Sequence, residues 1–494
     1  MGRAIMVQGT CSNAGKSFLC AGLCRLFAQD GLKVAPFKSQ NMALNSFITR
    51  DGLEMGRAQA MQAEAAGVEP DVAMNPILLK PTSDQGSQVI VNGEVVGTMP
   101  AREYFSYKKR LFPVVRAAYE RLAEAYDLVV IEGAGSPAEI NLKKDDLVNM
   151  GIAKMAGAPV LLVGDIDRGG VFASLYGTVA LLEPDERRRV KGFLLNKFRG
   201  DPSLLTTGLR QLEMLTQIRV LGVVPYLDLP LDDEDSLSPH LLQTQARGRL
   251  DAAVVRLPHL SNFTDFNALS AHPDIGLRYV SDVQTLGAPD LLFLPGTKNT
   301  MGDLAWLKQS GFSAAIAAYA KAGGLVFGIC GGYQMLGLSL DDPDGVEGEG
   351  PAHADGLGLL PVRTVFSREK TRTRGEGQAA ALPGVWAALS GSTFAGYEIH
   401  MGKTVPLAGA AAFSVLCGHE DGAVSGTVCG SYAHGLFDSG TLLDALVRLL
   451  CRRRGILPSG GKVPAWRVQK EASYDALAAA LRQALDLKRL YALL

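Results

Sequence analysis

The sequence predicts a two-domain α/β protein, each half built on a mainly parallel sheet. Three observations predict it. Near the start, an apolar strand runs into a glycine-rich turn and then a helical pattern, within residues 4–28. Residues 325–337 repeat that strand–turn–helix layout around a cysteine. Short apolar runs alternate with helical stretches over most of the chain, the rhythm of strands joined by crossover helices.

Composition sets the frame for each element. A chain of 494 residues allows two or more domains with ample core. Hydrophobic residues make up 47% and charged residues 20%, as in ordinary globular proteins. A formal net charge of −1 gives no global attraction to nucleic acid or anionic membrane, so neither is expected as a partner. No apolar run approaches the ~18 residues that span a bilayer, and the first residues lead into a strand rather than a signal peptide. The seven cysteines lack disulfide-like pairing, which predicts a reducing, cytoplasmic setting. Cys20 and Cys24 stand one helical turn apart, but no second pair completes a metal site, so they are read as core packing.

The first strand, 4–7, feeds a loop containing Gly9, Thr10, Asn13, Ala14, Gly15, Lys16 and Ser17. A helix over 18–28 follows, with Leu19, Leu23, Leu26 and Phe27 on one face. Such a turn aims backbone N–H groups at phosphate, and the helix dipole adds to the attraction. Lys16 is expected to reach the outer phosphates of ATP and the Ser17 hydroxyl to hold Mg²⁺. Five residues, not the usual four, separate Gly9 from Gly15, a spacing that resembles the dethiobiotin synthetase branch of P-loop enzymes.

A strand ending near 35 precedes a crowd of amides, Gln40, Asn41 and Asn45, placed where open α/β sheets bind ligands. They are candidate substrate contacts; a solvated loop is the simpler alternative. Helices are predicted over 54–66 and 104–126. The strand at 127–131 ends in Glu132, just before Gly133. An acid there would be costly without a cation, so Glu132 is a second candidate Mg²⁺ contact. Asp146 and Asn149 are further candidate contacts, and Asn196, ending a strand at 190–195, is the candidate adenine reader.

The acidic stretch 227–236 reads as a solvated connector. The predicted organisation is a nucleotide-binding domain at 1–232, a linker at 233–250, a second α/β domain at 251–450 and a helical extension at 451–494. Residues 474–494 form an amphipathic pattern expected to pack on its own domain, a subunit contact being the alternative; a homo-oligomer is left open. The basic stretch 367–374 lacks interleaved aromatics and reads as a solvated turn. The acidic, glycine-rich 341–350 reads as a loop.

In the second half, Cys330 sits between a buried strand and a helix, flanked by Gly328, Gly331 and Gly332. That is the geometry of a nucleophile elbow, and a helix N-terminus favours thiolate. The pattern Gly328-x-Cys330-x-Gly332-x-Gln334 resembles class I glutamine amidotransferase domains, which have a flavodoxin-like fold. The resemblance implies that Cys330 attacks glutamine and that His434 is the base. It also implies that backbone N–H groups of Gly296 and Gly331 form the oxyanion hole. Many such domains place a glutamate two residues after the histidine; here Leu436 stands there, so a Cys–His dyad is expected. The segment Tyr397-Glu398-Ile399-His400 resembles the same branch; its role, contact or plain strand end, stays open.

Longer stretches sharpen the resemblance: residues 40–46, 133–141, 146–150, 165–174 and 196–201 are similar to the cobyric acid synthase family of cobalamin-biosynthesis amidotransferases. The resemblance covers nearly the whole chain. It implies a corrinoid substrate, (adenosyl)cobyrinic acid a,c-diamide, amidated at four carboxylates (b, d, e and g) with ATP, Mg²⁺ and glutamine-derived ammonia. It implies acyl-phosphate intermediates, for which a shielded ammonia route would be useful. Two alternatives are a sister enzyme amidating the a and c carboxylates, and a nucleotide-driven regulator with a vestigial amidase half.

Overall fold

The computed structural model describes residues 2–81, 86–232, 241, 243–246, 248–348, 350–460 and 463–494. Most of the predicted linker at 233–250 therefore lies outside the described residues, as do parts of the acidic stretches 227–236 and 341–350. The chain forms two compact units: 1–43, 53–231 and 470–494 make the first, 44–52 and 232–469 the second.

The first unit is built on six parallel strands: β1 (Arg3–Gly9), β2 (Val34–Phe37), β3 (Leu128–Glu132), β4 (Val160–Asp165), β5 (Val190–Phe198) and β6 (Val220–Pro225). Their order across the sheet is β6-β5-β4-β1-β3-β2. Both faces are covered, so the central strands read as unbroken apolar runs rather than alternating ones. Helix α1 (Lys16–Gln29) leaves the glycine turn, and α2 (Arg57–Ala66) packs beside it. The predicted helix at 54–66 thus opens with a short strand, Glu54–Gly56. The predicted helix at 104–126 is broken into Ala101–Tyr107, a 3₁₀ turn and Phe112–Ala125, with Pro113 opening the last piece as proline's missing N–H allows.

The second unit carries β7 (Leu250–Val255), β8 (Ile275–Val280), β9 (Leu291–Leu294), β10 (Val326–Ile329), α3 (Gly331–Leu336), β11 (Ala423–Ser425) and β12 (Val428–Ser431). The sheet order is β8-β7-β9-β10-β12-β11, parallel except for β11 at the edge. Phe266, Phe293, Phe327, Phe413 and Phe437 contact one another in its core.

Two sequence expectations are corrected here. The C-terminal segment does not pack on the domain preceding it. Helices α4 (Trp466–Ala484) and α5 (Leu487–Ala492) follow, and from Lys470 onward the chain belongs to the first unit. Tyr474, Leu477, Ala478 and Leu481 are fully buried with Leu23 and Phe27 of α1. Gly22 makes the approach feasible, since a Cβ there would meet Leu481 at 2.4 Å and Leu477 at 2.9 Å. Each large apolar side chain so buried stabilises the unit by roughly 1.5–3 kcal/mol. The helix breaks at Leu485, where the backbone bridges Gly222 on β6. Likewise the basic stretch 367–374 is not a turn. It lies in a long strand, Val362–Ala379, paired antiparallel with Thr393–Pro406. Residues 367–370 form a bulge there, between the pairs Phe366–Gly402 and Thr371–His400, so the charged side chains sit on a strand pair.

Candidate active sites

In the first unit the glycine turn is held open by strained or close backbone. Asn13 and Gly15 take φ of 59° and 91°. Thr10 N–H donates to the Val163 carbonyl at 2.9 Å, fixing the turn to β4. Lys16, buried, folds its ammonium back to the carbonyls of Cys11 (3.0 Å) and Gly135 (3.2 Å). A Cβ on Gly9 would stand 3.0 Å from that ammonium, so glycine is what lets the lysine lie against the loop.

Glu132, at the end of β3, is 1% exposed and is the hub of this site. Its Oε1 accepts from the Ser17 hydroxyl and from the Lys38 ammonium, each at 2.8 Å. Its Oε2 accepts from Gln62 Nε2 at 2.6 Å and from Gln59 Nε2 at 3.4 Å. A buried carboxylate needs such compensation. Lys38 and the two glutamines of α2 escaped the sequence reading. Lys38 directly follows β2, which is the signal that could have found it.

Of the other predicted contacts, Gln40 Oε1 accepts from the Tyr104 hydroxyl at 2.5 Å, and Asn41 Nδ2 donates to Gln59 Oε1 at 3.0 Å. Asn45 falls in the second unit instead. The Asp146 carboxylate accepts backbone N–H groups of Val148, Asn149 and Gly151, which shapes the turn into the next helix. Asn149 Nδ2 ties down the Ala134 carbonyl at 2.7 Å, two residues after Glu132. Asn196 Nδ2 donates to the Ala14 carbonyl at 2.9 Å, and so steadies the phosphate-type loop. Cys20 and Cys24 are buried, and burial, followed by the Glu132 charge, pushes both thiols up. They pack as protonated hydrophobes. No cluster of three metal-ligating side chains occurs among the described residues.

In the second unit Cys330 sits between β10 and α3 with φ 51° and ψ −109°. A non-glycine residue held there stores on the order of 1–3 kcal/mol of backbone strain. The surroundings enforce it: a Cβ on Gly332 would lie 1.9 Å from the Leu294 carbonyl oxygen, and one on Gly328 would strike Tyr333 and Leu336. Cys330 N–H donates to the Ser431 carbonyl at 2.8 Å, and its Sγ points to the Ile399 carbonyl at 3.7 Å.

His434, 1% exposed, lies within hydrogen-bonding reach of Cys330. Its Nδ1 meets Asp265 Oδ2 at 2.7 Å, and Asp265 Oδ1 also accepts the Gly435 N–H. Burial alone would pull the imidazole down, but the Asp265 carboxylate and Cys330 push it up to about 10. The expected dyad is therefore corrected: a carboxylate does orient this histidine, but it comes from the 3₁₀ turn Phe263–Phe266 rather than from position 436. The Tyr397 ring stacks on His434, centroids 5.2 Å apart. Tyr397 and His434 also exchange two backbone hydrogen bonds. So the 397–400 segment borders the cysteine–histidine pair. Its His400 instead stacks on Tyr432 at 3.6 Å, and burial holds it down to about 4.

The turn containing Gly296 comes close to both groups. A Cβ on Gly296 would stand 3.4 Å from His434 Cε1, and one on Gly331 would stand 2.6 Å from Thr297 Cγ2. Two glycine turns thus border the cysteine, as an oxyanion site requires.

Comparison with known proteins matches each half of the chain to a family. Residues 5–235 match the CobQ/CobB/MinD/ParA nucleotide binding domain, and residues 251–442 the CobB/CobQ-like glutamine amidotransferase domain. A cobyric acid synthase of Ruminiclostridium cellulolyticum is 54% identical, covering 99% of this chain and 97% of its own. Cobyric acid synthases of Lachnoclostridium phytofermentans and Yersinia enterocolitica are 52% and 53% identical. The first of these two alignments covers 99% of both chains, the second 100% of this chain and 98% of the relative.

Proposed function

The chain belongs to the cobyric acid synthase family, and from that premise we propose how its two sites divide the work. It is a glutamine-hydrolysing ligase of cobalamin biosynthesis, and its substrate is a corrinoid. The sister reading, amidation of the a and c carboxylates, is not retained, because the near-full-length relatives carry the other name.

A carboxylate resists ammonia because oxide cannot leave. The first unit transfers the γ-phosphoryl group of ATP to a corrinoid carboxylate oxygen, so that phosphate becomes the leaving group. Lys16 and the loop amides position and neutralise the triphosphate, and Lys38 adds a second cation next to Glu132. The donors present suit magnesium: the Ser17 hydroxyl and Glu132 carboxylate converge, and Gln62 Oε1 beside them is buried with no partner among the described residues. Ser17 and Glu132 would hold the ion, which supplies charge neutralisation to the phosphates. Asn196 is kept as the adenine contact, acting from the position where it also braces the loop.

In the second unit the Cys330 thiolate attacks the glutamine side-chain amide carbon, and the oxyanion is held by the N–H groups of Gly296 and Gly331. His434, oriented by Asp265, gives its proton to the departing ammonia; it then takes one from the water that hydrolyses the glutamyl thioester to glutamate. Ammonia displaces phosphate from the activated corrinoid, and four such cycles complete the b, d, e and g amides.

The observation that carries this reading is a strained Cys330 beside an Asp265-oriented His434, in a chain whose other half brings Ser17 and Lys38 to Glu132 and holds Lys16 against the glycine turn. A Cys330→Ala variant tests it: amidation from glutamine should be lost, while amidation from ammonium chloride with ATP persists. Equal use of glutamine by parent and variant would refute it.

A further inference from the structure

Residues 44–52 lie between two segments of the first unit in sequence, yet they belong to the second. Within it they meet the groups that hold His434. Ser46 N–H donates to Asn262 Oδ1 at 3.1 Å, and the Tyr397 hydroxyl donates to the Ser46 carbonyl at 3.1 Å. Ile48 is buried with Tyr397 and Ile399, and Phe47 stands 6.1 Å from the Tyr397 ring. Asn262, 3% exposed and held at φ 51°, places its Nδ2 3.1 Å from His434 Nε2.

This network constrains a proton. Because the Asn262 carbonyl oxygen is taken by Ser46, its other end is an N–H donor. A donor facing Nε2 requires a lone pair there, so this contact, while it holds, favours a neutral imidazole with its proton on Nδ1 toward Asp265, against the pull of Asp265 and Cys330 toward the charged form. The thiolate–imidazolium pair that makes a cysteine nucleophilic requires the opposite, a proton on Nε2 facing sulfur. Asp265 and Cys330 both favour that charged form, and the nearby His400 does not compete for it, being held neutral by burial. The two demands on Nε2 are exclusive.

We propose that Asn262, anchored by residues 44–52, is a positioning residue that restrains the amidase: while Ser46 holds its amide, Asn262 occupies the His434 nitrogen that Cys330 needs. Release of the segment frees that nitrogen. In sequence the segment follows the Gln40–Met42 strand of the first unit after Ala43 alone. This inference rests on the reading of Cys330 and His434 given above and adds a restraint to it: glutamine hydrolysis is slow while the Ser46–Asn262 contact holds.

The test compares parent, Asn262→Ala and Tyr397→Phe full-length protein without ATP or corrinoid. Alkylation of Cys330 by iodoacetamide at neutral pH, followed by peptide mass, should be several-fold faster in Asn262→Ala, with glutamate release from glutamine rising in parallel. Tyr397→Phe keeps the stacked ring but loses the bond to the Ser46 carbonyl, so it should shift both in the same direction by less. Loosened packing alone would expose the buried Cys330 to alkylation without raising glutamate release, so only a rise in both supports the brake. Ammonium-driven amidation serves as the folding control, and if Asn262→Ala fails it, Tyr397→Phe decides in the same terms. Alkylation unchanged or slower in the folded variants would overturn the brake. Faster alkylation with no glutamine hydrolysis in any protein would instead overturn the amidase reading and leave the proton argument standing.

Discussion

At the scale of single residues, the histidine of the second unit owes its state to a partner 169 positions away. Asp265 fixes the ring by Nδ1 and, together with Cys330, outweighs the cost of burial. Asp265→Asn keeps the shape but loses the charge. It should lower kcat for glutamine hydrolysis by about 10²–10⁴-fold, with a much smaller change in KM, as expected when a histidine loses the group that sets its tautomer. Ammonium-driven amidation should be spared. Steady-state glutamate release at saturating glutamine checks this, and a loss below about tenfold would mean that Asp265 only packs. The same partnership shows what sequence could and could not disclose. Cys330, Lys16 and Glu132 were legible because strand, glycine turn and helix surround them locally. Asp265, Asn262 and Gln62 were not, because each acts through a side chain far off in the chain and sits in a segment with no motif of its own.

At the scale of elements, the end of β12 is fastened by a buried carboxylate as well as by backbone pairing. Asp421 is 3% exposed and receives the hydroxyls of Ser414 and Ser431 and the Tyr432 N–H, while Ser431 in turn accepts the Ala433 N–H. These bonds shape the end of β12 just before His434. Burial is the largest influence on Asp421 and pushes its carboxyl up to about 6, from an ordinary 3.8. A carboxyl raised in the folded state contributes stability below pH ~3.8, and that contribution is lost as pH rises through about 6. Asp421→Asn cannot ionise, so its stability relative to the parent should climb between pH 4 and 6, by about 3 kcal/mol, and level off above. Denaturant unfolding across that range measures it, and a flat difference would contradict the assignment. Elements were partly legible in outline: the strands expected at 4–7, 127–131 and 190–195 overlap β1, β3 and β5, because buried parallel strands leave apolar runs, whereas β8 was not anticipated. The long ribbon at 362–379 was hidden, since a bulged strand rich in arginine and threonine carries neither an apolar run nor clean alternation.

At the scale of the whole chain, the order of residues does not follow the order of folding units. The last 25 residues close the core of the first unit, and a short loop early in the chain is built into the second. No composition shift marks either exchange, because an amphipathic helix specifies an apolar partner but not which one. Residues 44–52 matter most here, since they follow the candidate substrate contacts Gln40 and Asn41 in sequence and in space meet Asn262 and Tyr397, which hold His434. The account as a whole claims that nitrogen freed at Cys330 is joined to a carboxylate activated at Lys16. Amide-¹⁵N glutamine, supplied with ATP and cobyrinic acid a,c-diamide, measures this directly. The account predicts a product carrying four ¹⁵N amides, with one ADP and one glutamate released per amide formed. Labelled product without ATP consumption, or glutamate and ADP released with no label in the corrinoid, would contradict it.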